Sequence, residues 1–474
     1  AVALRGLRAM GAKVDFLVPN RFEYGYGLTP EIVALAQHLQ PDIILTVDNG
    51  IASIEGVAYA NSLGMQVLIT DHHLPAEQIP AAACIVNPNQ RTCAFPSKHL
   101  AGVGVMFYVL LALRAELRAR KQVNAEFNLA ELLDLVALGT VADLVKLDAN
   151  NRILVEQGLR RIRAGASCVG IQAILKLAGK DASKTSAQDL GFYVGPRLNA
   201  AGRLDDMTLG IKCLITDNKQ EALIIAQQLH ELNAERRQIE SSMQIDAVDS
   251  LDETTVANQY AVSLYQADWH QGVVGILASR IKEQYHRPVI AFAQADDGLL
   301  KGSGRSIDGL HLRDALDLVT KQHPNLIIKF GGHAMAAGLS IREQDFELFK
   351  QAFEQVVRAL ITEDTLQASI ETDGALAIEE MTMQTAQMLE SQVWGQGFPP
   401  PLFSDDFKVV QKRIVGAKHL KLSLARQQQC FEAIWFNQTE LEDELVHVVY
   451  QLQINEFNGN QSLQLLIKHV DACI

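Results

Sequence analysis

The sequence predicts an α/β protein, with two successive α/β domains joined by a long helix and followed by a small β-barrel. Apolar runs at residues 43–47 and 67–70, separated by a helix-like segment, are typical of strands in a parallel sheet covered on both faces. Residues 220–249 lack Gly and Pro and are rich in Glu, Gln, Ala and Leu, which predicts one long helix. Short segments of alternating polarity after residue 399 predict the barrel.

Length and composition fit a globular protein of several domains. With roughly 100–200 residues per domain, 474 residues predict about two to four domains. The six cysteines lack a CxxC spacing, so we expect reduced thiols. The net charge of −13 argues against a surface that coats nucleic acid generally, but it leaves a local basic groove open. No apolar run approaches about 18 residues and no leader pattern is found, so the expected location is the cytoplasm.

The first domain begins with a pattern like the middle of an amphipathic helix, followed by a predicted strand at residues 14–18. Because such a helix normally follows an earlier strand, we expect the sequence to be N-terminally incomplete. The next strands, 43–47 and 67–70, predict a doubly wound parallel sheet. Ligands bind at the carboxyl edge of such sheets, where this chain has Asp-Asn-Gly at 48–50 and Asp-His-His at 71–73.

The remaining elements follow in order along the chain. A helix runs into Asp143, and residues 153–214 are predicted to be helical with interruptions at 195–196 and 199–203. The later predictions are strands at 260–265 and 288–293, helices at 273–284 and 343–360, and barrel strands at 420–424 and 446–454.

Carboxylates and imidazoles form the most informative set of polar residues. Asp48, Asp71, His72 and Asp143 offer the ligands of Mn, Mg or Fe more than those of a closed zinc site. Two such cations, roughly 3.5–4 Å apart, activate water and stabilise the attacking and leaving oxygens of a phosphodiester. Residues 48–50 alone also fit a turn, and Asp143 alone fits a helix cap or a solvated acid. Packing, however, does not explain Asp-His-His directly after a strand.

Two glycine-rich segments are candidates for binding phosphate. Residues 331–338 permit close backbone approach and a helix opening, or they form a tight strand-to-helix turn with close packing. Ser303 and Arg305 offer a hydroxyl and a guanidinium on a predicted flexible loop, which suits a terminal phosphate. The alternative for Arg305 is an ordinary exposed loop residue.

Two further segments combine cations with aromatic or small residues. Arg21 lies among aromatic residues that include Tyr26, which suits a phosphate beside a stacked base, or the rings pack the loop. Arg197, Asn199 and Arg203 lie in a predicted turn that lines a polyanion path, unless the arginines pair with the acidic residues that follow.

Taken together, the motifs resemble a known superfamily. The chain resembles the DHH phosphoesterases with a DHHA1 partner domain in four segments, which occur in the family's order: 46–50, 70–73, 139–143 and 331–338. It is similar, more narrowly, to the RecJ family of bacterial single-strand-specific 5′-to-3′ DNA exonucleases at residues 18–28, 195–206 and 269–276. The C-terminal barrel matches the family's OB-like domain.

The resemblance implies a domain for each part of the chain. These are an N-terminally incomplete DHH domain (1–215), a connecting long helix (216–252), a DHHA1 domain (253–368) and an OB-like nucleic-acid-binding domain (369–474).

The resemblance also implies roles for individual residues. Asp48 would bridge two Mn²⁺ or Mg²⁺ ions, with His72 and Asp143 as further ligands. The implied catalytic and supporting residues are Asp71, His73 and His333. The implied nucleic-acid and 5′-phosphate residues are Arg21, Tyr26, Arg197, Asn199, Arg203, Arg280, Ser303 and Arg305.

The activity implied is release of mononucleotides from the 5′ end of single-stranded DNA in recombination and repair. The implied partners are single-stranded DNA, a single-strand-binding protein and a helicase, for a monomer that does not bind membranes. The family's first motif, Asp-x-Asp at a strand end, would precede Ala1, so we expect the printed chain to bind metal poorly and to be nearly inactive.

Two other functions stay open from the sequence. A phosphoesterase of short oligonucleotides is disfavoured by the barrel and the long helix. A non-catalytic scaffold that binds single strands is disfavoured by Asp48, Asp71, His72 and Asp143.

Overall fold

The structure is a computed structural model that describes residues 1–19, 24, 27–122, 126–295, 298–457 and 459–472. It divides into two compact units. The first comprises Ala1–Pro196, Ile211–Leu223 and Ile370–Ile474, and the second comprises Arg197–Gly210 and Ile224–Ser369. None of the helices in the described ranges is long and apolar enough to cross a membrane.

Both helices and strands occur between Ala1 and Ala142, and the described elements after Ala142 are helices as far as Ala257. Among the described residues, the α-helices of five or more residues are α1 (Val2–Ala9), α2 (Pro30–Gln37), α3 (Ile54–Ser62), α4 (Gly102–Ala119), α5 (Leu133–Ala142), α6 (Ala149–Arg163), α7 (Val169–Leu177), α8 (Gly195–Leu204), α9 (Thr208–Ile215), α10 (Lys219–Asp249), α11 (Glu253–Ala257), α12 (Val274–Tyr285), α13 (Leu312–Gln322), α14 (Phe346–Leu360) and α15 (Met383–Glu390). The strands are β1 (Ile43–Val47), β2 (Gln66–Thr70), β3 (Cys84–Val86), β4 (Val262–Gln266), β5 (Val289–Gln294), β6 (Leu299–Arg305), β7 (Lys329–Gly332), β8 (Ala336–Arg342), β9 (Phe403–Val415), β10 (His419–Arg426), β11 (Gln429–Phe436), β12 (Leu445–Phe457) and β13 (Asn460–Ala472).

In the first unit, β1, β2 and β3 form a parallel sheet in that order, as the apolar runs predicted. The register pairs Val47 with Thr70, so that β1 and β2 end at the same edge. Val57 of α3 and Val67 and Ile69 of β2 are among the buried residues of one core beside this sheet. This shared edge places the residues after Val47 and after Thr70 next to one another.

The C-terminal part of the first unit is a closed barrel with strand order β10-β11-β13-β12-β9, which confirms the predicted barrel. A buried carboxylate, that of Asp405 on β9, has three partners in this part of the chain. Asp405 is 4% exposed, forms an ion pair with Arg426 (2.7 Å), accepts the hydroxyl of Tyr450 (2.6 Å) and accepts the N–H of Leu376 (3.2 Å). Burial and this carboxylate raise the pKa of Tyr450.

We expect Tyr450→Phe to destabilise the barrel by about 1–2 kcal/mol, because one hydrogen bond to a buried charge is lost while Arg426 still pairs with Asp405. Hydrogen exchange of peptides from β9 and β12 should quicken, while peptides from β4 and β5 serve as the internal control. Unchanged protection of β9 and β12 would contradict a stabilising role for the Tyr450 hydroxyl.

The second unit contains a mixed five-stranded sheet in the order β4-β5-β6-β8-β7, of which only β4 and β5 pair in parallel. Phe292 of β5 and Phe349 and Phe353 of α14 are fully buried in its core. Helix α10, 31 residues long, confirms the predicted long helix to within one residue.

Several local predictions are wrong. Residues 14–18 form no strand, and the carbonyl of Val14 accepts hydrogen bonds from the guanidinium of Arg8 instead of from a strand. The predicted loop at Ser303 and Arg305 is strand β6, and residues 331–338 form a β7–β8 hairpin without opening a helix. The predicted turn at 199–203 lies inside helix α8.

Candidate metal centre

Asp48 lies directly after β1, at the carboxyl edge of the parallel sheet. Its φ of 66° is in the left-handed region that non-glycine residues rarely adopt, and its N–H donates to the carbonyl of Thr70 (2.9 Å). Helix α4 begins at Gly102, where a Cβ atom would lie 2.4 Å from Oδ1 of Asp48. Asp48 therefore fits only beside a residue without a side chain.

His72 lies close to two carboxylates. Its buried Nε2 atom is 3.0 Å from Oδ1 of Asp48 and 3.3 Å from Oδ2 of Asp143. Asp143 is the C-cap of α5, so the predicted helix does run into this carboxylate. The structure thus brings together the three residues that were predicted as metal ligands.

The charges in this cluster perturb one another. Burial and then the negative charge of Asp48 raise the pKa of Asp143 to about 6. Burial lowers the pKa of His72, but the Asp48 and Asp143 carboxylates outweigh it, so the pKa is raised above its usual value. The cluster therefore carries an excess of negative charge that a bound cation would neutralise.

Asp71 is 1% exposed, and N–H groups surround its carboxylate. Oδ1 accepts from the backbone of His72 (2.7 Å) and of His73 (3.1 Å) and lies 2.7 Å from Nδ1 of His73, while Oδ2 accepts from the backbone of Ile51 (2.9 Å). Burial raises the pKa of Asp71, but these hydrogen bonds outweigh it and lower the pKa. The hydrogen bond with Asp71 in turn raises the pKa of His73.

Two asparagines that the sequence analysis did not select support the same segment. Nδ2 of Asn87, which is 2% exposed, donates to the carbonyl of His73 (2.8 Å). Nδ2 of Asn89 donates to the carbonyl of His72 (2.6 Å). Because Asn-Pro-Asn is also an ordinary turn sequence, only these contacts reveal that the asparagines fix the backbone of the two histidines.

The residues of this cluster fit a hard divalent cation. One potential ligand atom from each of Asp48, His72 and His73 lies within 4.8 Å of the others. Nε2 of His72 is buried without a hydrogen bond of acceptable geometry, although it faces two carboxylate oxygens. Carboxylates with imidazole suit Mn²⁺, Mg²⁺ or Fe²⁺. Among the described residues, this is where three such groups converge on one point.

In the second unit, Ser303 and Arg305 lie two residues apart on β6. Nη1 of Arg305 donates to Oγ of Ser303 (3.3 Å) and to the carbonyl of Gly304 (2.8 Å). A Cβ atom at Gly275, in the first turn of α12, would lie 2.8 Å from Oγ of Ser303 and 3.1 Å from Nη2 of Arg305. A hydroxyl, a guanidinium and a helix N-terminus therefore meet at one place, which is an arrangement that attracts anions.

Three arginines of the second unit that were predicted to contact nucleic acid have hydrogen-bond or ion-pair partners within that unit. Arg280 pairs with Glu240 (2.9 Å) and Glu283 (3.4 Å). Nη1 of Arg203 donates to the carbonyl of Gly272 (3.0 Å). Nε of Arg197, a residue 8% exposed, donates to Nδ1 of His230 (3.3 Å).

Asn199 and His333 are exposed, Asn199 on α8 and His333 in the β7–β8 hairpin. The N–H of His333 donates to the carbonyl of Ala336 (2.8 Å). Gly332 has a φ of 149°, and a Cβ atom there would lie 2.4 Å from that same carbonyl oxygen, so the hairpin requires glycine. Arg21 and Tyr26 lie outside the described residues. The roles of all these residues stay predictions.

Family models match three parts of the chain. The model of the DHH family N-terminal domain matches residues 1–140, the DHHA1 domain model matches residues 257–359, and the RecJ OB domain model matches residues 372–469.

Individual proteins match almost the whole chain. The single-stranded-DNA-specific exonuclease RecJ of Escherichia coli strain K12 is 52% identical over 486 aligned residues, which cover 99% of this chain and 84% of that protein. A crystal structure of RecJ from Thermus thermophilus in complex with Mn²⁺ is similar with a TM-score of 0.83 and 29% identity, over 100% of this chain and 67% of that one. A Mg²⁺ complex of RecJ from the same organism gives a TM-score of 0.76 and 27% identity, over 100% of this chain and 65% of that one.

Proposed function

Since the chain belongs to the RecJ family of single-stranded-DNA-specific exonucleases, we propose that it releases mononucleotides from the 5′ end of single-stranded DNA by metal-dependent hydrolysis. The observation that carries this proposal is the convergence of Asp48, His72 and Asp143 at the carboxyl edge of the sheet. The closed barrel and its match to the RecJ OB model favour a polymer substrate over short oligonucleotides. The presence of Asp48, Asp71, His72 and Asp143 disfavours a non-catalytic scaffold.

Mn²⁺ or Mg²⁺ is the proposed cofactor, with Asp48, His72 and Asp143 as ligands. Related structures that contain either ion support this choice. When bound, such ions activate water and neutralise charge on the scissile phosphodiester. His73 is proposed to support the metal site or the scissile phosphate, while Asp71 acts as a positioning residue that holds both histidines through its hydrogen bonds. His333 is proposed to contribute to the same reaction.

Ser303 and Arg305 are proposed to hold the 5′ phosphate, helped by the N-terminus of α12 and by Arg21. The support is their meeting point with Gly275, where a side chain would fill the space beside both groups. Tyr26 would lie near the terminal nucleotide. Along the strand path, the proposed contacts are Arg197, Asn199, Arg203 and Arg280.

The proposal extends to the setting of the reaction. We place the protein in the cytoplasm as a monomer that acts in recombination and repair, with a single-strand-binding protein and a helicase as partners. The proposed domains are 1–215, 216–252, 253–368 and 369–474, and each family match falls inside one of them.

The test uses the printed chain and the same chain extended by the Asp-x-Asp strand end that the family resemblance implies. Each protein is incubated with Mn²⁺ and a 5′-labelled single strand, a 3′-labelled single strand or a blunt duplex. We expect the extended chain to release labelled mononucleotide from the 5′-labelled single strand at once and none from the duplex, and Asp48→Ala in that chain to lose this release.

Release that begins from the 3′ label would contradict the proposed direction, and cleavage of the duplex would contradict the specificity for single strands. Binding of the strand by both proteins without cleavage would favour the scaffold function instead.

A further inference from the structure

Leu144 has a backbone conformation that its residue type does not favour. It follows Asp143 and has a φ of 56°, in the left-handed region where a leucine side chain is strained. The residue is 71% exposed, so little burial of apolar surface within the chain offsets that strain. Residues strained in this way cluster at active sites and ligand-binding sites, and Leu144 directly follows a residue of the metal cluster.

Leu144 is the second residue beyond the end of helix α5, and other helices of the first unit have glycine at the corresponding position. The second residue beyond the helix end is a left-handed glycine after α1, α3, α6 and α7, namely Gly11, Gly64, Gly165 and Gly179. Leu144 occupies that same position after α5. Glycine adopts this conformation without strain, so an exposed leucine is not what the helix end requires.

Leu74 is a second exposed leucine beside the metal centre. It follows His73 directly and is 68% exposed. His72 lies 3.3 Å from Asp143, and the rings of His72 and His73 are 4.5 Å apart, so these three residues lie together. Leu144 is the next residue after Asp143, and Leu74 is the next residue after His73. An exposed apolar side chain is thus present on both chain segments that supply the site.

We propose that Leu144 and Leu74 form an apolar rim that packs against the sugar and base of the nucleotide whose phosphodiester lies at the metal centre. The inference rests on the proposed function and assigns a contact that the charged residues do not provide. A nucleotide whose phosphodiester lies at the cluster has its sugar and base directly beside the metal centre, and the sugar and base are the apolar surfaces of that nucleotide. Packing on a sugar or a ring face is independent of base identity, as an exonuclease requires.

The test measures binding of a fluorescein-labelled oligothymidylate with phosphorothioate linkages, which resist hydrolysis. Anisotropy with Mg²⁺ present is recorded for the full chain and for Leu144→Gly, Leu144→Met and Leu74→Ala. We expect Leu144→Gly to bind about ten-fold more weakly, because most of a leucine contact is lost, and Leu144→Met to bind like the wild type. Leu74→Ala should weaken binding several-fold. The slope of log affinity against log salt should not change, because no phosphate contact is removed.

Lys121→Gly is the matched control, since Lys121 occupies the same position after α4 with a φ of 54°. Both glycine variants should keep or raise the thermal unfolding midpoint, and only Leu144→Gly should weaken binding of the oligonucleotide. Affinity for Mn²⁺ should stay within two-fold of the wild type in each.

Equal affinity of Leu144→Gly and the wild type for the oligonucleotide would overturn the rim. A wild-type chain that neither binds nor cuts single strands would overturn the proposed function itself, so the two failures are distinguishable. A loss of affinity together with a changed salt slope or a lower midpoint would also count against the rim, because it would indicate a disturbed site.

Discussion

Replacing Gly102 by alanine should lower the affinity for Mn²⁺ by about 10–100-fold, which is the range for residues that support metal ligands. The added Cβ atom would lie 2.4 Å from Oδ1, 2.5 Å from Cβ and 2.7 Å from Cα of Asp48. The last of these is a backbone atom, so rotation of the Asp48 side chain does not remove the clash. Alanine is otherwise the better helix former, by about 1 kcal/mol, so a loss of function would arise from the position of Asp48 and not from the helix. Calorimetric titration with Mn²⁺ measures the effect.

Gly104→Ala is the matched control on the same helix. A Cβ atom there would lie 2.7 Å from Cδ2 of Leu100, the end of a flexible side chain, and no atom of the metal cluster is among its nearest neighbours. We expect its affinity for Mn²⁺ to stay within about two-fold of the wild type, since packing adjustments cost only about 1–3 kcal/mol of stability. Wild-type affinity in Gly102→Ala would mean that Asp48 moves freely and is not held by the glycine.

The metal centre was predictable because it depends on a simple rule of parallel sheets. Strands β1 and β2 are mainly apolar and pair in register, so Asp48 and His72 had to emerge at one edge. Asp143 was harder to predict, because it belongs to a helix whose approach to that edge is decided by tertiary packing. Gly102 was not predictable, since no local pattern distinguishes it among 32 glycines. Its role exists only through the Asp48 side chain beside it.

Glycines also explain why the second unit was predicted less well than the first. Residues 302–305 were expected to form a flexible loop, but they belong to β6. A Cβ atom at Gly302 would lie 2.5 Å from the ring of Phe292, and one at Gly304 would lie 2.8 Å from Leu312. These glycines therefore make room for large side chains in a packed sheet. Local propensity favours a loop for such a sequence, and burial against neighbours overrides it.

Replacing Asp71 by asparagine should both destabilise the fold and weaken the metal centre. The amide has one oxygen where the carboxylate has two, so its NH₂ group would face either the N–H of Ile51 or the N–H groups of the two histidines. One or more buried donors would lose their acceptor, at a cost of about 1–3 kcal/mol each. We expect a loss of about 2–4 kcal/mol in the free energy of unfolding and at least a ten-fold lower affinity for Mn²⁺.

The loss of unfolding free energy in Asp71→Asn should depend on pH. Hydrogen bonds hold the folded-state pKa of Asp71 below its ordinary value, so its stabilisation is fully present above about pH 4 and is lost as pH falls through the lowered pKa. The difference between wild type and Asp71→Asn, measured by urea unfolding, should therefore narrow in acid. It should also decrease as pH rises through the raised pKa of His73, because the stabilisation from the Asp71–His73 pair is lost there. Asp181→Asn is the control, because Asp181 accepts the N–H and hydroxyl of Ser183 in an exposed turn, where water replaces a lost acceptor. If Asp71→Asn cost no more than Asp181→Asn and kept the wild-type affinity for Mn²⁺, the buried carboxylate would not be what fixes the two histidines.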